Sequence, residues 1–266
     1  MLRSVVLLLC LAVNLAFAQE KPSDTQSREK AQALIQASIK ALGGQAYLNV
    51  KTERSNGYIT FYKPSDPDNK ITVPDVTQTF IDYISLPDKE RVELKGQGRR
   101  FIQTNLGNRG WTYDSESQLL RDQSDEQSQR FIRALRYQLD QILRNGWSTA
   151  GTELVYLPRQ EVLPRQYAEG VRITFADGEE VKLFFDPQTN LPIALRFPKQ
   201  NDKGERIEGE NRFFRYVEAG GIKVPYIVDL FEKGAQVLRL NYDTRDFNVA
   251  LPDKLFIKPD NAKSLK

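Results

Sequence analysis

The chain has no histidine, one cysteine and one methionine, and the last two lie within its first ten residues. Without histidine, Ser-His and Cys-His nucleophilic catalysis are excluded, and the imidazole ligands of most zinc sites are missing. A single cysteine excludes a disulfide framework. Transition-metal chemistry would then need a carboxylate cluster, and none is evident along the sequence. We therefore expect no catalytic residue, no metal ligand and no cofactor.

An excess of charge of one sign is also missing. The chain has 38 Lys and Arg residues against 35 Asp and Glu residues, a formal net charge of +3 at pH 7. This balance, with no run of basic residues, indicates no electrostatic surface for nucleic acid. After residue 18, no stretch reaches the ~18 apolar residues that a membrane-spanning helix needs. We expect neither a nucleic-acid partner nor a transmembrane segment after signal cleavage.

The first 18 residues have the pattern of a secretory signal peptide. Arg3 gives a positive start, residues 5–13 are apolar, and a small-x-small cleavage site ends at Ala18. This pattern predicts export to the periplasm or release from the cell. A competing hypothesis makes Cys10 the lipid-modified residue of a bacterial lipoprotein. A small residue is expected directly before such a cysteine, but residues 7–9 are all leucine.

Two segments show helical periodicity. In residues 27–42, apolar side chains recur every three or four positions and a Gly-Gly pair follows. In residues 125–145, a capping-box pattern that starts at Ser124 precedes an apolar face, and a glycine follows. We predict one helix over each segment.

The rest of the sequence is typical of strands and turns. Asp177-Gly178, between two alternating segments, is the clearest hairpin signal. The later connections are too short for crossover helices, which predicts an antiparallel meander. Residues 64–74 are predicted to be an exposed loop. With no repeat and no low-complexity linker, residues 19–266 are predicted to form a single domain. The predicted strands lie near residues 55–63, 76–85, 89–95, 99–105, 109–113, 171–176, 179–185, 191–197, 206–217, 222–231 and 236–247.

Alternation along these strands predicts a sheet with one apolar face. Because successive side chains on a strand point to opposite sides, Phe184 and Phe185 must lie on opposite faces. Two helices cover only part of a sheet this large. The sheet then either closes into a barrel or curves with an open apolar side, and the second case is a binding site for an apolar ligand.

Several short segments between residues 31 and 259 carry a family resemblance through their order and spacing. They are Ala41-Leu42-Gly43-Gly44, Leu86-Pro87-Asp88-Lys89 with Arg91, Gly110-Trp111, Phe185-Asp186-Pro187-Gln188-Thr189, Gly221-Ile222-Lys223-Val224-Pro225 and Leu251-Pro252-Asp253-Lys254-Leu255-Phe256. Together they resemble the LolA-like superfamily of bacterial lipoprotein carriers. The resemblance implies a mostly β fold: an incomplete antiparallel β-barrel of about eleven strands with meander connections, whose helices cover the concave apolar face. It also implies that acyl chains bind between sheet and helices.

The first functional hypothesis is an exported, non-catalytic, monomeric protein that binds or transfers lipids or acylated lipoproteins. Its hydrophobic cavity is predicted to be lined by Leu34, Leu135, Leu139, Ile142, Phe175, Leu183, Phe185, Leu195 and Phe197. The alternative is an envelope interaction module of the same fold, whose concave face is filled by its own side chains and whose partners are proteins. A third hypothesis is a hydrolase with a carboxylate pair, because 35 acidic residues make a close pair expected by chance.

Overall fold

One antiparallel sheet of thirteen strands forms the framework of residues 24–201 and 204–265, which the computed structural model describes. The predicted signal peptide lies outside these residues. The strands are β1 (Thr52–Asp66), β2 (Ile71–Ser85), β3 (Lys89–Gly96), β4 (Arg99–Leu106), β5 (Arg109–Asp114), β6 (Leu119–Asp122), β7 (Glu153–Leu163), β8 (Gln166–Thr174), β9 (Glu180–Phe185), β10 (Pro192–Gln200), β11 (Arg206–Ala219), β12 (Ile222–Glu232) and β13 (Ala235–Phe247). The helices over the same residues are α1 (Asp24–Ala41), α2 (Gln45–Leu48), α3 (Asp125–Leu135) and α4 (Leu139–Arg144), with 3-10 turns at Gly146–Ser148, Asp253–Leu255 and Ala262–Leu265.

The strand order is β6-β5-β4-β3-β2-β1-β13-β12-β11-β10-β9-β8-β7, so two meanders join where β1 pairs with β13. The sheet ends at β6 on one side and β7 on the other, and it does not close into a barrel. Helices α3 and α4 connect these two edge strands in the chain. The face on which α1 and α4 pack, here called the inner face, corresponds to the predicted concave face.

The predicted mostly β meander is confirmed, but the structure adds two strands to the eleven predicted ones. Strand β6 is only four residues long, and Pro158 interrupts the alternation of β7. The loop predicted over residues 64–74 is wrong, although the segment is mostly exposed as predicted. There β1 and β2 keep pairing as far as Asp66 and Ile71, so these residues form the end of a long hairpin.

The single helix predicted over residues 125–145 is also wrong, because the structure has two helices there, α3 and α4, separated by a non-helical turn. Arg136 ends α3, and its Nη2 atom donates a hydrogen bond of 2.8 Å to Oδ1 of Asp177. The next residue, Tyr137, stacks on Phe197 with 5.4 Å between ring centroids. These contacts with the sheet replace the turn that would have continued the helix.

The predicted capping box at the start of α3 is confirmed. The Ser124 hydroxyl accepts a hydrogen bond from the backbone N–H of Gln127 (3.2 Å), and the Gln127 side-chain oxygen accepts one from the N–H of Ser124 (2.9 Å). We expect Ser124→Ala to lower the free energy of unfolding by about 1 kcal/mol, because one helix N–H loses its acceptor. Urea denaturation measures the change. Ser124→Asp is the matched control, since its carboxylate keeps an acceptor at this position; an equal loss in both variants would contradict the role of the cap.

Two apolar clusters lie on opposite faces of the C-terminal half of the sheet. The inner cluster contains Leu183, Phe185 and Leu195, and the outer cluster contains Phe184 and Ile193. The prediction that Phe184 and Phe185 face opposite sides is therefore confirmed. Ile193 departs from the expected alternation with Leu195, because a β-bulge between β9 and β10 shifts the register there.

The outer face of the N-terminal half is covered by the end of the chain. The indole N–H of Trp111 donates a hydrogen bond to the carbonyl oxygen of Phe256 (2.9 Å), and Nη1 of Arg91 donates one to the carbonyl oxygen of Leu255 (2.8 Å). Phe256 itself is buried. The end of the chain therefore occupies the outer face over β3 to β5, opposite the inner face on which the helices pack.

Candidate functional site

The predicted cavity residues come together on the inner face. Ile142, Phe175, Leu183, Phe185 and Leu195 are buried in one cluster, where they share a core with the apolar face of α1. Leu34, Leu139 and Phe197 are partly buried and pack against this cluster. Leu135, the last residue of α3, is half-buried.

This part of the inner face is filled by the protein itself. Leu183, Phe185, Leu195 and Ile142 each have 0% exposure. Helix α1 contacts β7 and β8, so it covers the sheet at the edge where this cluster lies. Space for an apolar ligand among these residues would therefore require the helices to move.

The middle of the inner face is different, because several of its apolar side chains remain half-buried. Phe61, Leu238 and Leu230 stand side by side on β1, β13 and β12, and Leu94 faces Phe101 across β3 and β4. Strand alternation puts these side chains on the same face as the inner cluster. We call Phe61, Leu94, Phe101, Leu230, Leu238 and Leu240 the apolar strip. It is a partly open apolar surface next to the filled core.

A group of polar side chains lies beside the apolar strip on the same face. We call Glu53, Ser55, Asp82, Glu90, Asn105 and Arg245 the polar floor. Within the polar floor, Glu53 and Arg245 form an ion pair with two hydrogen bonds of 2.7 and 3.0 Å. Both side chains are less than a tenth exposed. Arg245 also donates to the carbonyl oxygen of Pro225 (3.1 Å) and lies over the ring of Tyr242.

The electrostatics of the polar floor favour neutral acids. Burial raises the pKa of Glu90 to about 7, although a hydrogen bond from Asn105 opposes the shift. Burial, then the neighbouring charges of Glu90 and Glu53, raise the pKa of Asp82 well above its ordinary value, and Arg245 opposes this. Burial would lower the pKa of Arg245, but Glu53 more than reverses that effect. Arg245 therefore stays charged, whereas the neutral forms of Asp82 and Glu90 are favoured.

These shifts predict that stability falls as the pH rises toward neutrality. A carboxyl whose pKa is raised on folding stabilises the fold below its ordinary pKa, near 4.3, and that contribution is lost as the pH passes the raised value. For Glu90 we expect a loss on the order of 2 kcal/mol between about pH 4.5 and 7.5. Denaturation at a series of pH values should show this slope, and Glu90→Gln should flatten it. An unchanged slope in Glu90→Gln would contradict the burial of this carboxyl.

Helix α4 is held beside the polar floor by two contacts. The Tyr47 hydroxyl donates a hydrogen bond of 2.6 Å to Oδ1 of Asp140, and Nη1 of Arg144 donates one of 3.1 Å to the carbonyl oxygen of Val50. Burial, reinforced by Asp140, raises the pKa of Tyr47, so its hydroxyl keeps the donated proton. An open depression of about 450 Å³ lies on the other side of α4, between Arg136, Phe175 and Asp177.

Pattern reasoning did not find the polar floor, although the sequence contained a signal for it. Asp82 stands between Phe80 and Ile84 at alternate positions of β2, and Glu90 precedes Val92 on β3. A charged residue at an inward position of an apolar alternation marks a buried polar site. The acidic hairpin turn at residues 177–180, by contrast, forms surface ion pairs with Arg136 and Arg206.

Within residues 24–201 and 204–265, no helix is long and apolar enough to cross a membrane. Likewise, no group of three or more acidic or other metal-binding side chains in the described part of the chain is placed to hold a metal ion.

Comparison with known proteins identifies the fold. No family model and no curated protein matches the chain. A solved LolA superfamily protein from Nitrosomonas europaea is 14% identical, with a TM-score of 0.52 over 86% of this chain and 97% of that one. A DUF1329 family protein from Desulfovibrio piger is 11% identical, with a TM-score of 0.55 over 85% of this chain and 97% of that one. The chain therefore has a LolA-like fold, as its sequence segments predicted; at these identities the likeness concerns the fold alone.

Proposed function

We propose that the chain is an exported, non-catalytic protein that binds acyl chains of lipids or acylated proteins along the apolar strip. The observation that carries this proposal is the half-buried state of Phe61, Leu230 and Leu238 on a face whose neighbouring apolar side chains are fully covered. When a ligand covers an apolar surface that is open to water, the free energy of the system falls. The filled cluster around Leu183 and Phe185 then supports the site rather than forming it.

The energetics suit a carrier. Burial contributes ~0.8 kcal/mol per CH₂, so a chain of about 14 carbons gains roughly 11 kcal/mol. Association and ordering take back about 4–15 kcal/mol. Weak to moderate, reversible binding remains, which is what transfer between two sites requires. The leader predicted over residues 1–18 supports a location in the periplasm.

Native mass spectrometry of the protein purified from the periplasm tests the proposal. We expect a mass excess that extracts into organic solvent as an acyl-chain species. Leu238→Asp should abolish the excess, because it places a charge in the apolar strip. Ile71→Asp at the exposed hairpin end is the matched control and should retain it. A clean apo mass that persists after incubation with lipids would contradict acyl-chain binding.

The second candidate function is an interaction module for another envelope protein. The complete burial of Leu183, Phe185, Leu195 and Ile142 favours it, because these positions of the predicted cavity are filled by the chain itself. This function predicts a stable protein complex from which no lipid is extracted. The same mass spectra would then show the mass of a defined second chain in place of an acyl-chain species.

A further inference from the structure

Ser55 carries a buried hydroxyl that has no hydrogen-bond partner in the described part of the chain. It is 1% exposed, and its Oγ atom contacts no donor or acceptor among the described residues. In the register of the sheet it stands directly between Asp82 on β2 and Arg245 on β13. It therefore lies in the centre of the polar floor, on the inner face.

The Asp82 carboxyl on the neighbouring strand also has a buried atom, Oδ1, that forms no hydrogen bond with the described residues. Arg245 does not supply one, because its guanidinium group is engaged by Glu53 and by the carbonyl oxygen of Pro225. A buried polar group left without a hydrogen-bond partner destabilises the fold. Two such groups side by side, a hydroxyl and a carboxylate oxygen, indicate that a polar group from outside the described chain belongs there.

The charges of the polar floor indicate that the missing donor is positively charged. Glu53 and Arg245 neutralise each other, whereas Asp82 and Glu90 are diagonal neighbours on β2 and β3 and form no ion pair with another described residue. Among the described residues, no group of three or more acidic side chains is placed to hold a metal ion. A primary ammonium group carries one positive charge and three N–H donors. Asp82, Glu90 and Ser55 offer the matching acceptors.

The polar floor is continuous with the apolar strip. Phe80 lies two residues before Asp82 on the same face and is directly opposite Leu94 of the strip. Its ring packs edge-to-face with the Tyr242 ring, with 5.4 Å between the ring centroids. Asp82 and Glu90 are half-buried rather than fully buried, so this part of the floor is accessible from outside the fold. A ligand with a polar end and an apolar tail would satisfy both surfaces together.

We propose that the polar floor binds the primary ammonium group of an amphiphile whose hydrocarbon chain lies along the apolar strip. This inference rests on the proposed function and names the class of its ligand. Asp82 and Ser55 accept hydrogen bonds from the ammonium group, and Glu90 lies beside its charge.

The ammonium group competes with protons for the same carboxyls. The charged or titratable groups around Asp82 and Glu90 are Glu53 on β1, Arg245 and Tyr242 on β13, and Asp140 on α4. Burial raises the pKa values of the Asp82 and Glu90 carboxyls, so both hold protons toward neutral pH. Binding therefore displaces a proton, and the affinity should decrease when the pH is lowered from about 7.5 to 5.5.

Isothermal titration with four probes below their micelle concentrations tests the proposal. The probes are n-dodecylammonium, dodecyltrimethylammonium, dodecanol and dodecanoate, which share one chain and differ in the head group. At pH 7.5 we expect dodecylammonium to bind roughly tenfold or more tightly than the other three, because only its head combines positive charge with N–H donors. The comparison with dodecyltrimethylammonium isolates the N–H donors from the charge.

Variants connect the selectivity to the polar floor. Asp82→Asn and Ser55→Ala should each reduce the preference for dodecylammonium several-fold while leaving the binding of dodecanol unchanged. Ser55→Ala removes only an unpartnered hydroxyl, so it keeps the test open if Asp82→Asn fails to fold. Asp75→Asn, at the exposed hairpin end where Asp75 pairs with Lys63, is the matched control and should behave as the wild type.

The outcomes separate this inference from the function on which it rests. Equal binding of dodecylammonium and dodecyltrimethylammonium, or selectivity that survives both variants, would overturn the ammonium site and leave acyl-chain binding standing. Failure of all four probes to bind would overturn both.

Discussion

Phe185→Ala should lower the free energy of unfolding by about 3–5 kcal/mol, because it removes a fully buried aromatic ring and leaves a cavity that its neighbours cannot close. Phe185 has 0% exposure and packs in the inner cluster between the sheet and the helices. A loss of this size approaches the total stability of many domains, so a large decrease in the denaturation midpoint is expected. Urea denaturation followed by circular dichroism measures it.

Phe61→Ala is the matched control for this substitution. Phe61 belongs to the apolar strip and is only half-buried, so its ring contributes less to the folded state. We expect it to cost less than half as much as Phe185→Ala. If the two variants lost equal stability, the apolar strip would be as tightly packed as the core and would offer no surface to a ligand.

The sequence predicted the parts of the fold that depend on local signals. The capping box at Ser124, the apolar alternation of β9 and the Gly-Gly stop near α1 each act within a few residues, and the structure contains all three. The break after Arg136 depends instead on Asp177, which is 41 residues away in the chain. No local pattern contains that contact.

For the candidate site too, the sequence predicted the locally determined features but not those that depend on distant contacts. The alternation of Val181, Leu183 and Phe185 predicted which side chains face inward, and the structure groups them in one cluster. Whether that cluster is open or filled depends on how α1 and α4 pack, which periodicity does not specify. The pairing of Glu53 with Arg245 joins positions 192 residues apart, so only the closure of β1 against β13 brings the polar floor together.

Arg245→Met should destabilise the fold by about 3–5 kcal/mol, because it leaves the Glu53 carboxylate buried without its partner. The Glu53 and Arg245 side chains are 7% and 8% exposed, and two hydrogen bonds of 2.7 and 3.0 Å connect them. Methionine keeps much of the length of the arginine chain, so the loss reports the charge rather than a cavity. Chemical denaturation at pH 7.5 measures the change.

The double variant Glu53→Met with Arg245→Met provides the control. Replacing both members of a buried ion pair by apolar side chains is often neutral or stabilising, so the double variant should recover most of the lost stability. Recovery would show that the pair is retained for a reason other than stability. The proposed ammonium site beside the pair offers such a reason. Because Glu53 and Arg245 neutralise each other, Asp82 and Glu90 remain available to the ligand. A loss below about 1 kcal/mol in Arg245→Met alone, the range of exposed ion pairs, would contradict the burial of the pair between Glu53 and Arg245.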